Sequence, residues 1–387
     1  MNICIIRHAY FPDDPTVRKE VYTLLQEGYN VDIICLRKKS QNFIENIRGA
    51  RIYRVPLSHI RGGILRYIAE YFLSFLMMSC VILLLYFLRR YNFIQVNTMP
   101  DFLVFSTFLP KLLGTKILLH LHEPTPELWI TKYGTDRLKW LLYMQIKIEQ
   151  LAIKYADRCF TVTESLRSRF GERGANIKKI TVIPNVCEEN IFCGNRNFQG
   201  HLLKEKFRLV THGLIENRCG HDLVIKAIND LRVQIPNLQY EIIGEGEYKS
   251  KLVKLIRELK CEDIIHLAGF VDTKELLRRL RSADIGVVAM KKSPYSELID
   301  TTKMYEYIAL RIPMIVSRLP VVENNFDESC VMFFEPGNYE DLKRCILKLY
   351  LEPEKRNKLA ENAYFRYEKI RWDKTKEIYL NAFQELV

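Results

Sequence analysis

Ser293-Pro294-Tyr295-Ser296-Glu297-Leu298-Ile299-Asp300-Thr301-Thr302-Lys303-Met304-Tyr305-Glu306-Tyr307-Ile308-Ala309-Leu310 lies between two strand-like runs, 284–290 and 313–317. Thr301 or Thr302 can cap a helix there, and Met304, Tyr307 and Ile308 recur at helical spacing as its apolar face. Such a helix places unpaired backbone N–H groups, two hydroxyls and Lys303 at an N-terminus, where the peptide dipole favours an anion. Glu306 follows Lys303 by three residues, close to the same face. The combination suits a diphosphate at the helix start and sugar hydroxyls one turn along. An ordinary surface helix carrying a Lys–Glu pair has the same spacing, so the rest of the chain has to decide.

Strand and helix patterns alternate on both sides of this stretch. Before the middle of the chain, strand-like runs at 2–8, 30–37, 50–57, 92–97, 116–122, 158–163 and 179–184 are separated by helical patterns at 15–27, 63–89, 101–112, 136–155 and 164–170. The pattern then restarts, with strands at 207–212, 238–243, 264–267, 284–290, 314–317 and 330–334. Alternation of this kind predicts mostly parallel sheets with helices on both faces, which bind ligands beyond the carboxyl ends of the strands. The 387 residues exceed one usual core. Two Rossmann-like domains are therefore expected, 1–188 and 189–370, facing each other across a cleft. The polar stretch 187–206 would link them, and a last helical stretch within 371–387 would pack back on the first.

The net charge of +12 is uneven, with 26 Lys and Arg against 17 Asp and Glu in residues 1–190. A basic first half points to an acidic substrate or an anionic membrane surface; no zinc-finger spacing, RNA-binding signature or basic helical run supports nucleic acid. The ten cysteines are scattered without a C-x-x-C, which predicts reduced, mostly buried thiols. Residues 2–6 open directly on a strand, so no signal peptide is expected. Residues 71–88, YFLSFLMMSCVILLLYFL, carry no charge and are followed by Arg89 and Arg90. A spanning helix needs about 20 such residues. Because this one sits between strands that must share a sheet, the reading is a core helix with one edge able to face a membrane.

Several strand ends carry candidate chemistry. Arg7 and His8 close the first strand, and Arg18 and Lys19 fall in the first turns of the following helix, with no G-x-G-x-x-G between. His120 and His122 share a sheet face by their spacing of two, with Glu123 starting the loop. No third neutral ligand has a matching position, so no metal site is predicted. His122 and Glu123 are candidates for contacting substrate hydroxyls. In the second half, Gly213 and Gly220 flank a loop in which Arg218 offers a fork for phosphate, and Gly244-Glu245-Gly246 forms another strand-to-helix turn.

Taken in order, H-G-L-I-E-N-R-C-G-H-D at 212–222, I-G-E-G-E-Y at 243–248, L-A-G-F-V at 267–271 and K-M-Y-E-Y-I-A-L-R-I-P at 303–313 resemble the retaining glycosyltransferase family numbered four, of GT-B fold. D-P-T-V-R-K-E at 14–20, M-P-D-F-L-V-F at 99–105, H-E-P-T-P-E-L at 122–128 and I-P-N-V at 183–186 are similar to the first domain of one branch. The resemblance implies a nucleotide-sugar donor held by the second domain and a saccharide or lipid-linked acceptor held by the first. By matching position, Glu306 would bind ribose hydroxyls, and Lys303, Arg218 and the amides around Thr301 and Thr302 would hold the diphosphate. Gly213, Gly244 and Gly246 would line the nucleotide site, His122 and Glu123 would face the transferred sugar, and Arg18 with His8 would lie on the acceptor side. No cofactor or metal is implied. The chain departs from the family pattern at Leu214, Cys219, Leu298 and Arg311. A nucleotide-sugar epimerase of the same shape and a silent binding subunit are the competing readings. The expected location is the cytoplasm, peripheral on the inner face of the plasma membrane.

Overall fold

Parallel strands alternating with helices build two separate sheets in the structure, a computed structural model that describes residues 1–58, 64–134, 139–192 and 206–386. One unit comprises Met1–Asn185 with Asp373–Val387, the other Val186–Trp372. Most of the link expected at 187–206 lies outside the described residues, as do the starts of the 63–89 and 136–155 helical patterns.

The first unit holds β1 (Asn2–Tyr10), β2 (Asn30–Leu36), β3 (Ile44–Ile47), β4 (Ala50–Val55), β5 (Phe93–Asn97), β6 (Lys116–Leu121), β7 (Arg158–Thr161) and β8 (Ile180–Val182). Their spatial order is β3-β4-β2-β1-β5-β6-β7-β8. All described pairings are parallel except β3 with β4, a short edge hairpin that the sequence pattern did not show. The chain runs outward from β1 through β2 and β4, then returns to β1's other side as β5. Between β1 and β5 the order reverses, the position where such sheets open a crevice at their carboxyl edge.

Asp14 caps the Pro15–Gln26 helix, its carboxylate accepting from the Thr16 and Val17 amides, and Arg7 Nε bonds the same carboxylate at 2.9 Å. That helix carries Glu20 into the interior with no exposed surface. There the carboxylate lies 2.7 Å from His120 Nδ1 and accepts from Gln95 Nε2 at 2.8 Å. A buried carboxylate persists only when its oxygens are paired in this way.

From Asp373 onward the Trp372–Gln384 helix belongs to this same unit. Its Tyr379 hydroxyl donates to Gln95 Oε1 at 2.7 Å, and Phe383 packs edge-to-face on Phe93. The Ile64–Arg89 helix buries Glu70, Ser74, Met78 and Ile82, whereas Phe72, Leu76, Leu84, Phe87 and Leu88 are exposed. It is long and apolar enough to cross a membrane, but its inner face is part of the core.

The second unit holds β9 (Phe207–His212), β10 (Leu238–Ile243), β11 (Ile265–Gly269), β12 (Ile285–Val288), β13 (Met314–Ser317) and β14 (Met332–Phe334), all parallel, in the order β11-β10-β9-β12-β13-β14. Leu209, Ile242, Val287 and Ile315 from four strands pack with Val224, Ile228, Leu252 and Ile346 from covering helices. Here the order reverses between β9 and β12, so the loops after these strands border the crevice.

Tyr379→Phe tests the docking of the last helix. Without the hydroxyl, Gln95 Oε1 is left buried and unpaired, and the first unit should lose about 1–3 kcal/mol. An unchanged urea midpoint for that unit would contradict the contact.

Candidate functional site

The loops after β9, β10 and β12 meet at the second unit's switch point through backbone contacts. Gly213 N donates to Ile243 O at 2.9 Å, Ile215 N to Glu245 O at 3.0 Å, and Lys291 N to Arg218 O at 2.9 Å. Side chains cannot intervene. A Cβ on Gly244 would stand 1.9 Å from Gly213 O, and one on Gly246 2.1 Å from Ile215 O.

The helix of the opening stretch runs Thr302–Ala309, with Thr301 in extended conformation before it and no side-chain cap. Thr301 Oγ1 is buried without a hydrogen-bond partner among the described residues. Lys303 is half-buried, its Nζ 3.6 Å from where a Gly213 Cβ would stand, and it has no carboxylate partner among the described residues. One turn on, Glu306 Oε2 meets His212 Nε2 at the end of β9. The other ring nitrogen, Nδ1, lies 3.1 Å from the Tyr307 hydroxyl. With Nε2–H donating to the carboxylate and Nδ1 accepting from the phenol, one neutral tautomer satisfies all three groups. Tyr307 lies over β12 at Gly286, where a Cβ would come within 2.6 Å of the ring.

His221 opens the His221–Leu231 helix, whose Gly220 cap offers no side chain. It is buried, with no hydrogen-bond partner for Nε2 among the described residues. Burial first, and then the nearby Lys303 charge, push its pKa down to about 3. Two uncapped helix starts, one ammonium and two orphaned polar atoms, Thr301 Oγ1 and His221 Nε2, thus occupy one corner of the sheet. That corner has the chemistry of an anion site. Asp300, held by the Tyr305 hydroxyl and Asn325, is raised to about 6, mainly by burial.

Arg218 does not stand open as a fork. Its Nε is bonded to Glu216 at 2.5 Å, and its guanidinium lies 4.3 Å from the Tyr295 ring centre. The departures from the family pattern have local reasons. Cys219 is buried and points Sγ at Leu214 O, while Leu214 is exposed. Arg311, where a glycine was expected, does adopt φ 53, and ends the helix with its amide on Ile308 O. Stacking on Tyr364 at 3.9 Å and pairing with Glu361 hold that left-handed arginine in place. Leu298 is buried, and Glu297 lies 3.6 Å from Lys292.

In the first unit, His120 and His122 stack with ring centres 3.9 Å apart. His122 Nε2 bonds Asn97 Oδ1 at 2.9 Å, at the end of β5. Burial, followed by the charges of His120, Arg7 and Lys19, holds its pKa well below the ordinary histidine value. It is therefore a neutral hydrogen-bonding group. Glu123 beside it is half-buried. His8 is buried against Glu70, at 3.5 Å, and against the Tyr71 ring. Arg18 donates to Pro12 O at 2.7 Å. No cluster of three His, Cys, Asp or Glu able to hold a metal occurs among the described residues.

The structure brings Lys303, Glu306, Thr301, Thr302 and Gly213 together, and puts His122 and Glu123 in the other unit. Sequence reading missed His212, His221 and Tyr307 as site residues. The signal was faint: His212 and His221 bracket the glycine loop, and Tyr307 had been assigned to the apolar face.

Comparison with known proteins resolves the family. Residues 15–186 match the model for glycosyl transferase 4-like domains, and residues 195–366 that for glycosyl transferases group 1. The chain is a member of the GT-B glycosyltransferases. Sucrose-phosphate synthase from Thermosynechococcus elongatus superposes with a TM-score of 0.79 at 17% identity, covering 100% of both chains. HepE from Anabaena, solved in complex with UDP, gives 0.72 at 12% identity, again over 100% of both. The O-antigen biosynthesis glycosyltransferase WclY of Escherichia coli is 23% identical over 261 residues, 64% of this chain and 66% of WclY. The matched stretches span 42% and 66% of the first two curated relatives.

The His221 environment makes a pH prediction for this GT-B chain. Between about pH 6.5 and about 3 the unfolded chain binds a proton that the native His221 does not, so this contribution to stability is lost as pH falls through that window. The raised Asp300 acts in the opposite sense, losing its contribution as pH rises toward about 6. The measurement is thus a difference curve: His221→Gln should reduce the acid-side loss of melting temperature relative to the parent. Parallel curves would refute it.

Proposed function

We propose that this protein transfers a glycosyl group from a nucleoside diphosphate sugar to a hydroxyl of a saccharide or lipid-linked saccharide, with retention of configuration, in the assembly of a cell-surface polysaccharide or glycolipid. The observation that carries the reading is the Thr302–Ala309 helix start at the switch point, with the Lys303 ammonium, which has no carboxylate partner among the described residues, in its first turn and the Glu306 carboxylate one turn on. The UDP bound to HepE and the role of WclY in O-antigen biosynthesis are consistent with this donor and product class.

The diphosphate would sit against the amides of Thr302 and Lys303, with Lys303 Nζ and the start of the His221–Leu231 helix beside it. Glu306 Oε2 is engaged by His212, which orients Oε1 to accept from ribose hydroxyls. As the glycosidic bond breaks, negative charge grows on the leaving diphosphate, and fixed donors at that point lower the barrier without reorganising. Retention would follow from same-face attack, with a donor phosphate oxygen taking the acceptor proton. The acceptor would lie in the first unit, with His122 and Glu123 hydrogen-bonding the transferred sugar. In this scheme Lys303 and the two helix N-termini carry the stabilisation of the diphosphate, and no metal is invoked.

Lys303→Ala removes one such donor and should reduce kcat/KM by roughly 10²–10³, about 2.7–4 kcal/mol of barrier. Glu306→Ala should chiefly weaken donor binding. Both are read by transfer of labelled sugar, after a thermal-shift screen of nucleoside diphosphates has identified the base. Near-parental turnover in both variants sinks the site, and scrambling of the labelled sugar without any acceptor would favour the epimerase.

We further propose that the enzyme works in the cytoplasm, peripheral on an anionic membrane. The exposed Phe72, Leu76, Leu84, Phe87 and Leu88 lie on one helix that ends at Arg89 and Arg90, and the first half is basic. The chain should float with phosphatidylglycerol vesicles, less so in high salt, and Leu84→Glu/Phe87→Glu should abolish flotation. Equal flotation of parent and variant would remove this helix from membrane contact.

A further inference from the structure

The exposed apolar surface of the first unit extends beyond the Ile64–Arg89 helix. The Asp101–Thr107 turn packs between that helix and the Lys139–Tyr155 helix, through Phe102 on Phe75 and Phe105 on Tyr155. In the segment that follows the turn Phe108 and Leu112 are exposed, as are Trp140, Tyr143, Met144 and Leu151 of the Lys139–Tyr155 helix. An exposed apolar area drawn from three neighbouring segments exceeds what scattered surface residues explain.

Within this layer lies a cavity of about 470 Å³. Its described walls include Phe72, Phe102, Leu128, Trp129, Leu141 and Ile148. The size is that of a small-molecule site, of roughly 300–1,000 Å³. The cavity is tied to the chemistry by the chain itself. Met99, Pro100 and Asp101, which also line it, begin two residues after β5 ends at Asn97, the partner of His122. Thr125 and Leu128 come from the helix that follows His122 and Glu123.

Polar groups in the walls are few and distinctive. Trp129 Nε1 and Gln145 Oε1 are buried without hydrogen-bond partners among the described residues, and Lys132 is exposed at the wall. Asp101 is buried, with its carboxyl raised to about 7 by burial and by Glu149, so it is only partly ionised near neutrality. Lys139 and Lys147 are exposed on the Lys139–Tyr155 helix, and Arg66 on the Ile64–Arg89 helix. An apolar chamber within a basic surface complements a molecule that joins a hydrocarbon chain to phosphate.

We propose that this cavity takes the hydrocarbon chain of the acceptor lipid, next to the phosphate that carries the acceptor saccharide. The inference rests on the transferase reading above and narrows its acceptor to a lipid that joins a hydrocarbon chain to phosphate or diphosphate, with a prenyl phosphate as the form tested. The chain leaves the membrane at the apolar surface, enters between the Ile64–Arg89 and Lys139–Tyr155 helices, and places its phosphate near Lys132. The sugar is thereby presented toward the β5 and β6 ends, where His122 and Glu123 lie. The cavity is too small for a long polyprenyl chain, so it holds the units next to the phosphate while the remainder stays in the membrane.

The test uses the full chain and farnesyl phosphate, below its micelle concentration, as the probe, with binding measured calorimetrically. Inorganic phosphate and phosphatidylglycerol vesicles serve as controls. Farnesyl phosphate should bind saturably, inorganic phosphate should not, and Leu128→Phe/Ile148→Phe, which fills the chamber, should weaken farnesyl phosphate at least tenfold. The same variant should keep vesicle flotation and the parental response to the nucleoside diphosphate found in the donor screen, which also shows that it folds. Should the filled variant misfold, Trp129→Phe, which deletes the orphaned indole N–H, should still weaken farnesyl phosphate. Equal farnesyl phosphate affinity in parent and a folded filled variant overturns the proposal, as does parental vesicle binding that falls in step with the probe, because the cavity would then serve bulk lipid. Donor binding without farnesyl phosphate binding defeats the cavity assignment alone; farnesyl phosphate binding without any nucleoside diphosphate response defeats the donor reading alone.

Discussion

The contact between Glu306 and His212 joins the two parts of the second unit that the donor reading requires. One residue lies on the Thr302–Ala309 helix, the other at the last position of β9. Tyr307 closes the arrangement from below by engaging the other ring nitrogen, and the absence of a side chain at Gly286 gives its ring room. A histidine held on both nitrogens has one tautomer and one orientation, so the carboxylate it meets is aimed as well. The helix start, Lys303 and the glycine loop then keep fixed positions relative to that carboxylate. Preorganisation of this kind is what electrostatic stabilisation of a leaving group demands.

The first unit solves a different problem. Its carboxyl edge is built on buried polar groups, Glu20, Gln95, Asn97, His120 and His122, which pair mainly with one another, while Asn97 Nδ2 and His120 Nε2 have no hydrogen-bond partner among the described residues. The last helix of the chain adds Tyr379 to that network, so the C-terminus helps to set the strand ends opposite in sequence. Burial keeps His122 neutral, which suits hydrogen bonding to sugar hydroxyls and not charge stabilisation. On its outer side the same unit carries an apolar layer that its own core does not need.

Arg218 shows the limit of reading charge from sequence. As a cation in a glycine-bordered loop after a strand, it had every mark of a phosphate ligand. In the structure it is bonded to Glu216 and stacked on Tyr295, and Lys291 at the same loop is paired with Asp222, which leaves Lys303 beside Gly213 as the cation without a carboxylate partner among the described residues. Arg311 makes the converse point. A missing glycine looked like a broken motif, yet the backbone keeps the left-handed turn because Tyr364 and Glu361 hold the arginine there.

Periodicity and strand–helix alternation by themselves determined the two α/β units, the parallel sheets and the helix carrying Lys303 and Glu306. These follow from local rules: apolar spacing, capping residues and turn glycines act within a few residues of one another. Tertiary structure alone decided which charges are spent. Whether a cation meets a carboxylate, as Arg218 meets Glu216, depends on rotamers and packing that spacing does not encode. Likewise, the pairing of His212 with Glu306 joins residues 94 positions apart. The cavity beside the Ile64–Arg89 helix belongs to the same class, because it is the space left between four segments and no one of them carries its pattern.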